Sequence, residues 1–161
     1  MKTHEYFFGL TRISLGLIFL WAFFDKLFGL GFATKAEAAW ILGGSPTAGF
    51  LEFATKGPLA GLFKSLAGIA FVDWIFMIGL LLIGVCLILG IGMRVASYSG
   101  ALMLVLMYLA AMLPEHHPFL DDHLIYALVL LGLNYMGAGK FWGLGAKWQK
   151  LKFVKKNKWM I

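Results

Sequence analysis

The stretch WIFMIGLLLIGVCLILGIGM, residues 74–93, runs for twenty residues without a single charge. A helix needs about 20 mostly apolar residues to cross the hydrocarbon core of a bilayer, and this run has that length. Three other segments share its character. Residues 6–24 are broken only by Arg12, residues 95–113 are uncharged, and residues 122–139 form a shorter apolar run that begins with Asp122 and His123. The fold class read from these runs is all-α: an integral membrane four-helix bundle with spans near 6–24, 74–93, 95–113 and 122–139. Residues 140–161 follow as a basic cytoplasmic tail.

Composition supports a bilayer as the solvent. The chain is 61% hydrophobic and 14% charged, whereas soluble domains carry about 25% charged residues. A single soluble domain of 161 residues leaves too much of its surface in water to hide so many apolar side chains. The first apolar run exceeds the roughly 7–15 residues of a signal-peptide core, so it is read as a retained span. The formal net charge is +6, and seven lysines with no acid follow Gly139. After a membrane helix such a tail is an orientation signal with added attraction to anionic membrane lipid, and nucleic-acid binding is set aside. With the N-terminus inside, Lys2, Arg94 and the tail lysines face the cytoplasm, while Lys26, Lys35, Lys56 and Lys64 face outward. This asymmetry places both termini on the cytoplasmic side of the membrane. Cys86, the one cysteine, lies in an apolar run and reads as a packing residue.

The connections are unequal. Met93-Arg94-Val95 makes a tight inner turn, and residues 114–122, with His116 and His117, make an outer loop. The long outer segment between Asp25 and Asp73 is too apolar for a disordered linker. Ser45-Pro46 and Gly57-Pro58 mark helix starts, which predicts short interfacial helices near 46–55 and 58–70. Trp40, Phe50, Phe53 and Phe63 suit that depth. Glycines recur along the spans at Gly9, Gly16, Gly79, Gly84, Gly90 and Gly132, as expected where helix backbones approach closely in lipid.

Ionisable groups at membrane depth are costly and call for a reason. Arg12 shares a helical face with Gly9, Gly16, Phe19 and Phe23. It either snorkels to inner headgroups or turns into the bundle to bind an anionic or carbonyl group. The other polar groups gather at the outer end: Asp25 and Lys26, Asp73, His116 and His117, then Asp121, Asp122, His123 and Tyr126. Three readings stand side by side. The cluster handles protons for a quinone, whose carbonyl oxygens need donors; or it binds a metal, although the spacing fits no standard zinc pattern; or it anchors the interface, with Asp121 or Asp122 capping the last helix. The sequence contains no phosphate-binding glycine loop, nucleophile elbow or cytochrome-type haem motif.

Four stretches together resemble the DoxX/DoxD membrane family. They are GLIFLWAFFDKL at 16–27, VDW at 72–74, PFLDDHLIYA at 118–127 and GAGKFWGL at 137–144, so the likeness covers about residues 6–148. The resemblance implies a four-helix membrane subunit tied to a redox complex. One branch of the family includes the membrane subunit of thiosulfate:quinone oxidoreductase. A protein partner within a respiratory or sulfur-linked system is implied as well, and quinone is the implied cofactor. On this reading Asp25, Lys26, Asp73, Asp122, His123 and Tyr126 converge at the outer mouth of the bundle beneath Trp40. His123 exchanges protons with Asp122 beside it, Tyr126 donates to a carbonyl, Lys26 pairs with Asp73 or Asp122, and Arg12 joins the cofactor-binding set. The family position before the second-helix tryptophan is often glutamate; here the shorter Asp73 stands there. The alternative is a non-catalytic membrane scaffold or assembly partner of an oxidoreductase.

Overall fold

In the computed structural model, which describes residues 2–112, 117 and 119–161, the long apolar runs are helices. Helix α1 spans Thr3–Phe28, the five-residue α2 spans Ala60–Lys64, α3 spans Ala70–Leu89 and α4 spans Met93–Ala110. Helix α5 spans Asp122–Tyr135, and two short helices, α6 (Gly145–Trp148) and α7 (Lys152–Lys156), complete the chain. Among the described residues there is no strand, only an isolated bridge between Lys56 and Ala111. Helices α1, α3 and α4 are each long and apolar enough to cross a membrane. Helix α5 has 14 residues, about 21 Å at 1.5 Å per residue, which is shorter than a hydrocarbon core of about 30 Å.

The long helices pack in sequence: α1 on α3, α3 on α4 and α4 on α5, with α1 also touching α5. Contacts between named residues fix their antiparallel register. Arg12 meets Leu87 and Ile88, and Lys26 meets Phe76, so α1 and α3 run in opposite directions. Tyr98 meets Tyr135 near the start of α4, and Tyr108 meets Phe119 near its end, so α5 runs back along α4. The core holds Leu15, Phe19, Met77, Leu80, Ile83, Leu87, Leu104 and Leu130. Helix α1 approaches α3 closely because Gly16 and Gly84 carry no side chain; a Cβ on Gly16 would lie 3.0 Å from the Ile88 backbone nitrogen. Outward faces keep large apolar side chains exposed, among them Leu17, Trp21, Ile75, Leu82 and Leu102, as lipid-facing helices do.

The expected turn at Met93-Arg94-Val95 falls three residues earlier. Helix α3 stops at Gly90 (φ 70°), and Gly92 (φ 54°) precedes α4. Both residues adopt the left-handed conformation, which glycine tolerates without a Cβ penalty. The segment between α1 and α3, expected from sequence to be the outer segment, is built of 3-10 turns at Ala36–Ala38 and Trp40–Leu42, a π-helical turn at Phe50–Ala54, and α2. The short helices expected near 46–55 and 58–70 are thus present as shorter pieces. Ser45 Oγ accepts the Ala48 N–H at 3.1 Å in the turn that leads into the first of them, whose own N-cap is Gly49 with no side-chain bond.

Residues 140–161 are folded against the bundle. Leu144 donates its N–H to the Leu89 carbonyl at 2.8 Å, Val154 is fully buried, and the Trp148 indole donates to the Met160 carbonyl at 3.1 Å.

Candidate functional site

Arg12 lies at the end of the bundle that carries Arg94, about 20 Å along α1 from Asp25 at 1.5 Å per residue. It is fully buried and turned into the bundle. Its guanidinium donates to the carbonyls of Leu87 and Ile88 (2.9 Å) in the last turn of α3, and to those of Phe141 (2.9 Å) and Trp142 (3.1 Å) after α5. The last carbonyls of a helix have no intrahelical partner and carry its negative dipole end. Arg12 satisfies them and ties the C-terminal segment to the same point. These carbonyl bonds occupy its terminal nitrogens, and it shares no cavity with the cluster at the far end.

At the Asp25 end, two of the nominated carboxylates, Asp25 and Asp73, organise backbone. Asp25 is 1% exposed; its two oxygens accept the N–H groups of Phe32 (3.1 Å) and Ala33 (2.9 Å), folding the chain back after α1. Asp73, in the first turn of α3, accepts at a single oxygen from Ser45 Oγ (2.9 Å), Thr47 N–H (3.2 Å) and Thr47 Oγ1 (2.6 Å). It pins the outer segment to α3. Trp40 covers the same region, its ring meeting Trp74 edge-on at 4.7 Å.

On α5 the structure makes Asp121 the central acid. Its Oδ1 accepts the Leu124 N–H at 3.1 Å, capping the helix, while Oδ2 lies 2.6 Å from His123 Nδ1. Asp122 is exposed, and Tyr126 is half-buried against the core. His117 Nδ1 accepts the N–H groups of Phe119 and Leu120; His116 lies outside the described residues. Among the described residues, no group of three or more histidine, cysteine, aspartate or glutamate side chains is placed to hold a metal ion.

Lys26 stands apart. Instead of pairing with Asp73 or Asp122, its ammonium sits 5.9 Å from the centre of the Phe76 ring. It makes no hydrogen bond or ion pair among the described residues. It borders a cavity of about 440 Å³ between α3 and α4, beneath the outer segment. Among the described residues Lys26 is the only charged one lining that cavity; Phe50, Phe63, Phe76, Met103 and Met107 supply much of the remaining wall. The two hydroxyls on the wall are already committed, Thr47 to Asp73 and Ser99 to the Val95 carbonyl. The rim carries the exposed side chains of Phe71, Ile75, Leu102 and Leu106, so the cavity opens sideways on a lipid-like face. Of the residues nominated from sequence, the cavity takes Lys26 alone; Asp25, Asp73 and Trp40 build the segment around it, and His123, Asp122 and Tyr126 do not line it.

The cavity itself was not legible in the sequence. Its wall joins positions from α1, α3, α4 and the outer segment, and the one hint in the sequence, Lys26, was expected to pair with Asp73 or Asp122. No family model, curated protein or solved structure matches the chain.

Proposed function

We propose that this chain is the membrane subunit of a redox complex and that it holds a quinone in the cavity beside Lys26. The observation carrying the reading is the Lys26 ammonium, half-buried over Phe76 with no acceptor among the described residues, in an otherwise apolar cavity that opens sideways. Asp25 attracts this charge without forming an ion pair with it, and burying an ammonium with no hydrogen-bond acceptor is unfavourable. A quinone relieves it, because a carbonyl oxygen accepts from the ammonium while the ring and prenyl tail occupy apolar wall and lipid. Pockets of this kind bind by apolar burial and use a few polar groups to fix orientation. The resemblance to the DoxX/DoxD family supports the same ligand class. His123, held by Asp121 at the same end of the bundle, offers an imidazole as a proton donor or acceptor.

The accompanying topology is four spans, with α5 as a short fourth, the Arg94 end cytoplasmic and the Asp25 end outside in a cell membrane. The partner is a second subunit that supplies electrons. One observation favours the scaffold alternative: both Asp25 oxygens and one Asp73 oxygen are engaged in holding the outer segment, which then presents a fixed surface.

Titrating purified protein with a short-chain quinone, read by quenching of tryptophan fluorescence, separates the two. Saturable binding that weakens about tenfold in Lys26→Met, the loss of one charge-assisted hydrogen bond, supports the quinone reading. Absence of binding, together with stable co-purification of a partner subunit, supports the scaffold.

A further inference from the structure

A second cavity, of about 380 Å³, lies at the opposite end, between the start of α4, the end of α5 and the folded C-terminal segment. Its chemistry is the reverse of the first. Arg94 and Lys140 line it with Asn134, Gln149, Tyr98 and Tyr135. Among the described residues no aspartate or glutamate side chain lines it, and the sequence has none after Asp122; Ile161, which carries the terminal carboxylate, also lines it but forms no ion pair with Arg94 or Lys140. Neither Arg94 nor Lys140 makes a hydrogen bond or ion pair among the described residues. The two tyrosine hydroxyls bond each other at 2.8 Å, which leaves one of the two protons free to donate elsewhere. Two unpaired cations, an amide pair and a tyrosine donor around one polar hollow suit a phosphate-sized anion.

The surroundings indicate the source of that anion. Trp142, Leu144, Leu151, Phe153 and Trp159 are all at least 46% exposed on the segment that closes the cavity, interleaved with lysines. Exposed tryptophans and aliphatic side chains among lysines are the pattern of a segment lying at the membrane–water interface. A soluble ligand has no use for it, whereas a lipid headgroup is at that depth already.

We propose that this cavity binds the phosphodiester headgroup of an anionic membrane lipid, with Arg94 and Lys140 as its charge partners and Tyr98–Tyr135 as a neutral donor. The site is independent of the cavity beside Lys26. Lipid bound here bridges α4, α5 and the C-terminal segment, fastening that segment to the bundle from the membrane side.

Native mass spectrometry of the purified full chain tests this with dioleoyl phosphatidylglycerol and dioleoyl phosphatidylcholine as probes. One phosphatidylglycerol is expected to survive at a collision energy that strips phosphatidylcholine. The Arg94→Gln/Lys140→Gln double variant, whose native side chains are exposed and make no hydrogen bond or ion pair among the described residues, is expected to lower that retention about thirtyfold, given about 1 kcal/mol per cation near anionic lipid. The Lys155→Gln/Lys156→Gln variant, which leaves the cavity wall intact, should retain the lipid. Equal retention of both lipids overturns the proposal, as does an unchanged Arg94→Gln/Lys140→Gln variant or an equal loss in both variants. Displacement of phosphatidylglycerol by millimolar inorganic phosphate assigns the cavity to a soluble phosphate compound and overturns the lipid source.

Discussion

The guanidinium of Arg12 donates to the Ile88 carbonyl at 2.9 Å, so the charge in the first span closes the end of the second. The same side chain reaches the carbonyls of Leu87, Phe141 and Trp142. Arg12→Leu is expected to leave these buried acceptors without donors and to destabilise the fold by about 2–4 kcal/mol. Arg12→Lys should recover only part of this, because a compact ammonium cannot span carbonyls on two segments as a planar fork does. Thermal unfolding in detergent, followed by size exclusion, ranks the three proteins. Equal stability of Arg12→Leu and the parent would remove the capping role.

Asp73 is expected to govern the outer segment alone. Asp73→Ala removes an oxygen that accepts from Ser45 and twice from Thr47. The local loss is about 1–3 kcal/mol, and it should appear as faster amide exchange at Thr47 and Ala48 and faster proteolysis between residues 29 and 69. Exchange in α4 and α5 should not change. Asp73→Asn keeps one carbonyl acceptor and should fall between the two.

The glycines separate into those that hold helices together and those that do not. A Cβ at Gly16 meets the Ile88 backbone nitrogen at 3.0 Å and the Gly84 carbonyl at 3.1 Å, and backbone atoms cannot swing aside. Gly16→Ala should therefore cost about 1–3 kcal/mol through overpacking. A Cβ at Gly132 meets nothing within 4 Å, and Gly132→Ala should stabilise α5 by up to about 1 kcal/mol. Opposite signs in one unfolding series are the check; a common sign would mean that α1 and α3 do not pack as described.

These variants also mark how far the sequence could be read. Three spans are visible as apolar runs because lipid selects composition directly, and their helices emerge within a few residues of the expected bounds. The turn after α3 was displaced because counting apolar residues cannot detect the left-handed backbone at Gly90 and Gly92. Asp25 and Asp73 stand out in the sequence as charges at depth. Their partners do not, since Asp25 binds backbone N–H groups of Phe32 and Ala33, which no side-chain pattern marks. Asp121 was open as a cap, and the structure assigns it both the cap and His123.

Lys26 and His123 yield the prediction that discriminates most sharply. Lys26 borders the apolar cavity and His123 does not. If the head of a quinone rests at Lys26, Lys26→Met should weaken quinone binding about tenfold while leaving folding intact or slightly improved, since an unpaired half-buried charge is removed. His123→Ala should leave binding within about twofold, because it removes no wall of the cavity. With a partner subunit present, the same His123 variant should slow quinone reduction, which consumes protons, and added imidazole should restore part of the rate. Asp121→Asn should resemble it more weakly, since it perturbs the orientation of the imidazole rather than deleting it. Equilibrium quenching titrations read the first pair of effects, and stopped-flow reduction reads the second. If His123→Ala abolishes binding and Lys26→Met does not, the ligand sits at the mouth of α5, and the cavity between α3 and α4 is filled by lipid.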